Sequence, residues 1–239
     1  MTRNSVSINK VNVFLSFLFL CIALNSSAQE FDFSFQTGVG FYKMNDLKAL
    51  TTQGINQHGF QAKIVYNYPP SLYIQPSITF RIRGISLGFV YSYQSTGSRI
   101  SAIDNSNKSF DTKINCHAPG IILGFHPEND GKMRMSFYGK LGRAYSNLSM
   151  NGSQPLNESY KFDSRCLYYE PGLQISYNIK KNYVVGFNAG YFKEFKRQDF
   201  ELKGARGTLI KTNHDSYIGN GWDGLRLGLL FTYRLFTAK

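Results

Sequence analysis

The sequence predicts an all-β fold: an eight-stranded antiparallel transmembrane up-and-down β-barrel, preceded by a cleaved signal peptide. Three observations carry that expectation. The first is the segment Leu225 to Phe236, LRLGLLFTYRLF. Leu225, Leu227, Leu229, Phe231, Tyr233 and Leu235 share one parity, and Arg226, Gly228, Leu230, Thr232, Arg234 and Phe236, a mixed set, fall on the other. A period of two sends these sets to opposite faces of a strand. Apolar residues facing lipid and arginines facing a lumen suit that split.

The second observation is the sorting of connections. They alternate long (43–71), short (83–84), long (95–110), short (126–132), long (148–163), short (178–182) and long (196–221). Eight strands with this alternation put every long loop at one end, as spanning barrels do. The third is strand length. Most segments exceed the common strand of about 5–6 residues and reach the roughly 9–11 needed to cross a bilayer at a tilt. Aromatic residues make up 15% of the chain, with 22 Gly and only 7 Pro, which also favours strands.

The chain opens on an export signal. Arg3 and Lys10 supply the positive region, Val13 to Leu24 the apolar stretch, and Ser26, Ser27 and Ala28 the small residues before a cut. Residues 1–28 are therefore expected to be removed and residues 29–239 to form the barrel. Cys21 follows Leu20, where a lipidated cysteine would need a small residue. Removing Arg3 and Lys10 takes the net charge from +12 to +10. The excess fits a solvated basic surface on the loops, and such a surface can also meet lipid phosphates or an anionic partner. Nucleic acid is not expected, because no binding motif is present.

Strand one is Phe31 to Tyr42, with Phe31, Phe33, Phe35, Val39 and Phe41 on one face. Asn45 to Leu50 suggests a short helix, and Phe60 to Tyr68 a strand that extends strand two above the membrane. A ten-strand alternative would need a tight turn at Pro69 to Ser71. Strand two is Leu72 to Ile82, strand three Ile85 to Gln94 and strand four Asp111 to Phe125. Strand five is Met133 to Asn147, strand six Ser164 to Tyr177 and strand seven Tyr183 to Phe195. Strand eight closes the set.

The polar parity fills the interior with Asp32, Arg81, Arg134, Lys140, Glu170, Glu194, Arg226 and Arg234. Ten glycines share that face and make room for the long charged side chains. Eight strands leave just enough interior for side chains to fill, so these charges must pair. Two pairs are expected: Lys140 with Glu170 on neighbouring strands, and Asp32 with Arg234 where strands one and eight meet. A salt-bridged interior is the leading expectation, and a narrow conducting path the alternative.

Catalysis is not expected. Ser164, His117 and Glu194 could be imagined as a hydrolase triad, but no local motif supports them. There is no phosphate loop, nucleophile elbow or metal-ligand spacing, so neither a metal nor another cofactor is expected. Cys116 and Cys166 fall on strands separated by another strand and are expected to be buried free thiols. Lys196, Arg197, Lys203, Arg206 and Lys211 make the last long loop the best contact surface.

With these elements placed, the chain resembles small outer-membrane β-barrel proteins, in particular the porin-like "outer membrane protein beta-barrel" family of Bacteroidetes. The resemblance rests on SSAQ at the export end, FDFSFQTGVGFYKM, YYEPGLQISYNI, YVVGFNAGYF and the final strand. It spans residues 29–239. It implies a location in a Gram-negative outer membrane. The implied partners are outer-membrane lipid and lipopolysaccharide, the outer-membrane assembly machinery, and an extracellular or secretion-system partner. One departure is visible: Phe236 is followed by Thr237, Ala238 and Lys239, where such barrels often end on an aromatic. The roles consistent with this are envelope structure or surface binding, a narrow pore or solute carrier, and an accessory part of a secretion machine. A soluble lipocalin-like binder would need the faces inverted.

Overall fold

The computed structural model describes residues 29–57, 62–82, 84–103, 109–127, 131–152, 159–195, 199–203, 218–219 and 221–237. The signal segment, Lys196, Arg197, Arg206 and Lys211 lie outside the described residues. Eight staves form the barrel: β1 (Gln29–Tyr42), β3 (Ser71–Ile82), β4 (Ile85–Ala102), β5 (Ser109–Phe125), β6 (Met133–Gly152), β7 (Ser159–Lys180), β8 (Tyr183–Phe195) and β10 (Gly224–Thr237). Each pairs antiparallel with its neighbours, and β1 against β10 closes the ring. Closure leaves no open edge among the staves, which spanning a bilayer requires.

Three further elements sit between the staves: helix α1 (Asn45–Gln57) and strands β2 (Ala62–Asn67) and β9 (Glu201–Leu202). β2 pairs with the outer part of β4, from Ala62 opposite Ala102 to Asn67 opposite Ser98. It therefore continues the column of β3 past Tyr68, Pro69 and Pro70, and the barrel has eight staves, not ten. The helix runs a further two turns beyond the expected Leu50.

The outside carries a continuous apolar belt. Phe33, Phe35, Ile78, Phe89, Leu123, Phe137, Leu141, Phe187, Leu229 and Phe231 are all exposed on it. Exposed tyrosines border it at both ends: Tyr91, Tyr145, Tyr169 and Tyr191 towards the long loops, Tyr177 and Tyr183 towards the short turns. On β8 the Tyr183-to-Tyr191 stretch spans roughly 26 Å at about 3.3 Å per residue. A strand tilt of about 40° makes this roughly 20 Å of height, close to the band of a spanning barrel.

Above the outer tyrosines the pattern inverts. On β5 and β6, Thr112, Ile114, Cys116, Leu148 and Met150 turn inward and are buried, while Lys113, Asn115, Asn147 and Ser149 face out. The expected loops 95–110 and 148–163 are thus mostly strand, and β4–β5 and β6–β7 continue as two long hairpins. Their inward faces meet Met44, Leu47 of α1, Phe200, Ile218 and Trp222 in one apolar cluster. The barrel has two interiors: a polar one inside the belt and an apolar one beyond it.

Candidate functional site

A buried ionic network crosses the polar interior. Lys140 and Glu170 are direct cross-strand partners on β6 and β7, and Lys140 Nζ lies 2.6 Å from Glu170 Oε1. Arg226 on β10 reaches over to the same carboxylate, with Nη1 2.7 Å from Oε2. Both cations are 1% exposed and Glu170 is fully buried. At that depth a single carboxylate shared by two cations is sustained only if neutral donors and acceptors finish the job.

They do so from the far wall. Lys140 donates to Gln75 Oε1 at 3.0 Å, and Gln75 donates to Gln36 Oε1 at 2.9 Å. Arg226 donates to the Tyr42 hydroxyl at 3.0 Å and also to Gln94 Oε1, which accepts from Tyr42 as well. The Arg226 guanidinium rests against the Phe192 ring, 4.2 Å from its centroid. Staves β1, β3, β4, β6, β7 and β10 are tied across the lumen by this one network.

Tyrosines occupy the space left by the inward glycines. A Cβ on Gly190 would come within 2.6 Å of the Tyr138 hydroxyl and 2.9 Å of Glu170 Oε1. A Cβ on Gly228 would collide with the Tyr73 hydroxyl. The glycines therefore admit tyrosine rings as much as long charged side chains, which the sequence reading did not foresee.

A second ionic group sits towards the short turns. Arg234 Nε lies 3.0 Å from Asp32 Oδ1 and 3.2 Å from Glu30 Oε2. Arg81 reaches Glu30 at 2.8 Å and Asp32 at 3.4 Å. Asp32 and Arg234 are register partners on the closing staves. Arg134 lines the same region but makes no ion pair among the described residues. In the turn after β5, His126 sits between Ser86 Oγ at 2.8 Å and Ser136 Oγ at 2.7 Å. Burial, with help from Arg81, Arg234 and Arg134, pulls its pKa down to about 3.

Glu194 also faces inward, but above the network. It accepts from the Cys166 thiol at 3.2 Å and from the Trp222 backbone N–H at 3.3 Å. Trp222 donates its indole N–H to Ser146 Oγ at 3.0 Å and is fully buried against Tyr42. Asp223 Oδ1 accepts from the Glu194 N–H at 2.8 Å, and its Oδ2 lies 2.6 Å from Lys193. The segment around Trp222 thus plugs the outer mouth together with α1. Trp222, Tyr42, Gln36, Gln75 and Gln94 were missed in sequence because uncharged side chains give no charge signal.

Other expected groups are placed differently. His117 faces outward, hydrogen-bonded to Tyr91 at 2.5 Å, while Ser164 and Glu194 face inward. The imagined Ser–His–acid set is therefore split by the barrel wall. Cys116 and Cys166 are both buried thiols, with no disulfide between them. Lys203 is exposed, and its N–H bonds the Lys161 carbonyl at 2.8 Å.

Taken together, these features define a closed eight-stranded antiparallel barrel with an apolar outer belt, ion-paired within and plugged at one mouth. Among solved structures, the chain is similar to a major outer membrane protein from Thermus thermophilus. The identity is 15%, with 86% of this chain and 99% of that one covered and a TM-score of 0.49. It is also similar to the outer membrane protein OprG from Pseudomonas aeruginosa, at 13% identity, 88% and 97% coverage and a TM-score of 0.44. A third is Ail, the attachment invasion locus protein of Yersinia pestis, at 14% identity, 87% and 97% coverage and a TM-score of 0.39. No protein-family model and no curated protein matches the sequence.

Proposed function

We propose that this chain is an integral outer-membrane β-barrel that conducts no solute and works at its outer end, as an envelope or surface-binding protein. The single observation behind this reading is the blocked lumen. Arg226, Glu170 and Lys140 cross it, and Trp222, Met44 and Leu47 fill it above. The apolar belt with tyrosines at both borders supports residence in lipid. The outward arginines and lysines above the belt, including Lys113 and Arg165, suit the phosphates of outer-leaflet lipid or lipopolysaccharide. Export by residues 1–28, insertion by the outer-membrane assembly machinery and kinship with the Bacteroidetes porin-like family belong to the same reading. So do the absence of catalysis and an extracellular or secretion-system partner at the hairpin tips and the loop carrying Lys196, Arg197, Lys203, Arg206 and Lys211.

The test has two stages. The protein should fractionate with the outer membrane and migrate differently on a gel before and after boiling. Purified protein should then give no stable channels in planar bilayers. Recovery in the soluble periplasm would sink the membrane reading, and steady single-channel currents would sink the closed lumen.

A further inference from the structure

Arg134 stands apart from the other inward-facing cations. Lys140, Arg226, Arg81 and Arg234 each have a carboxylate oxygen within 3.4 Å. Arg134 has none among the described residues, and its Nε is buried without a hydrogen-bond partner; so is the Nε of Arg81. Each oxygen of Asp32 already accepts from another guanidinium, Arg234 or Arg81, and neither bonds Arg134. A guanidinium held in a protein wall without a counter-charge is costly.

Beside Arg134 lies a cavity of about 50 Å³ in the half of the lumen nearest the short turns. Arg81, Arg234, Ser136 and Ser176 also line it, and so does the Asp32 carboxylate, which Arg81 and Arg234 already offset. At about 10–15 Å³ per water centre, it accepts roughly four oxygen-sized atoms. Arginine's planar fork of donors suits an oxyanion. His126 on the rim is uncharged at neutral pH, so the positive charge facing the cavity comes from the arginines.

We propose that this cavity binds one small tetrahedral oxyanion, of phosphate or sulfate size, with Arg134 as its principal counter-charge. The inference needs only the fold and stands apart from the membrane reading. A cavity of about 50 Å³ takes the ion but not a headgroup attached to it, so a free ion is the ligand proposed.

The test is calorimetric titration of the full-length barrel in detergent with inorganic phosphate. The wild type should bind at a single saturable site. Arg134→Gln should weaken binding at least tenfold. Val184→Phe, which fills the cavity without changing charge, should do the same. Arg143→Gln removes an outward arginine and should leave binding intact. Loss of binding in Arg143→Gln equal to that in Arg134→Gln would overturn the proposal, as would a wild type with no saturable heat. Phosphoethanolamine should compete poorly; competition as strong as phosphate's would overturn the free-ion assignment in favour of a headgroup. A heat-dependent gel shift shows which variants are folded. If Arg134→Gln does not fold, Val184→Phe and the wild-type titration decide.

Discussion

Replacing Glu170 with Gln should be the most damaging single change of charge in this molecule. The substitution keeps the shape but leaves Lys140 and Arg226 without their shared counter-charge. Both are 1% exposed, so water cannot take its place. Removing one partner of a buried ion pair costs about 3–5 kcal/mol. Even the lower figure shifts the unfolding equilibrium by roughly two decades. The natural control is Asp111→Asn, which breaks the Arg99–Asp111 pair, where the side chains are 46% and 34% exposed. Such a pair contributes about 0–1 kcal/mol. The chain's single tryptophan, Trp222, is buried directly above the network and reports unfolding without labelling. Urea unfolding in detergent, followed by Trp222 fluorescence, should separate the two variants by at least about 2 kcal/mol. Equal stabilities would refute the view that the Glu170 network holds the staves together.

Three further outcomes are expected. Leu229→Arg places a charge midway along the apolar belt, and in a bilayer it should cost about 2–4 kcal/mol of folding into vesicles; a neutral effect would argue that the belt does not face lipid. Trp222→Ala should destabilise the outer plug by about 3–5 kcal/mol and open the outer mouth to protease, whereas unchanged protease resistance would show that the plug does not depend on it. His126 has a folded pKa near 3 against an ordinary value of 6.5, so the unfolded chain takes up the proton first. Its contribution is complete above about pH 6.5 and falls away as pH drops towards 3. His126→Gln should therefore flatten the difference in urea midpoint between pH 7 and pH 4, and parallel profiles for the two proteins would refute the assignment.

The strands inside the belt were legible in sequence because one strong rule governs them, apolar out and polar or small in. β8 matches its expected span, and β1, β3 and β10 differ from theirs by one or two residues. The Lys140–Glu170 and Asp32–Arg234 neighbours followed from register alone, since each pair sits directly across a ladder. The outer parts of β4 to β7 were not legible, because beyond the tyrosines the rule reverses. Ile114 and Leu148 face in, and a pattern that looks for apolar residues facing out stops there. Trp222 was invisible for a different reason. It lies outside regular structure, and its place depends on Ser146 and Tyr42, far away in the chain. Periodicity carries no information about such contacts.

The plug also bears on the order in which the molecule can be completed. Met44 and Lys43, just after the first stave, donate their backbone N–H groups to Gly221 and Asp223, just before the last. Nearly the whole chain lies between these partners, so α1 has no seat until β10 is in place. Closing that loop carries a high entropic cost, which only finished neighbours can repay. The cap thus depends on the last stave: a chain truncated before β10 should leave the lid unlatched, and an added protease should cut there first.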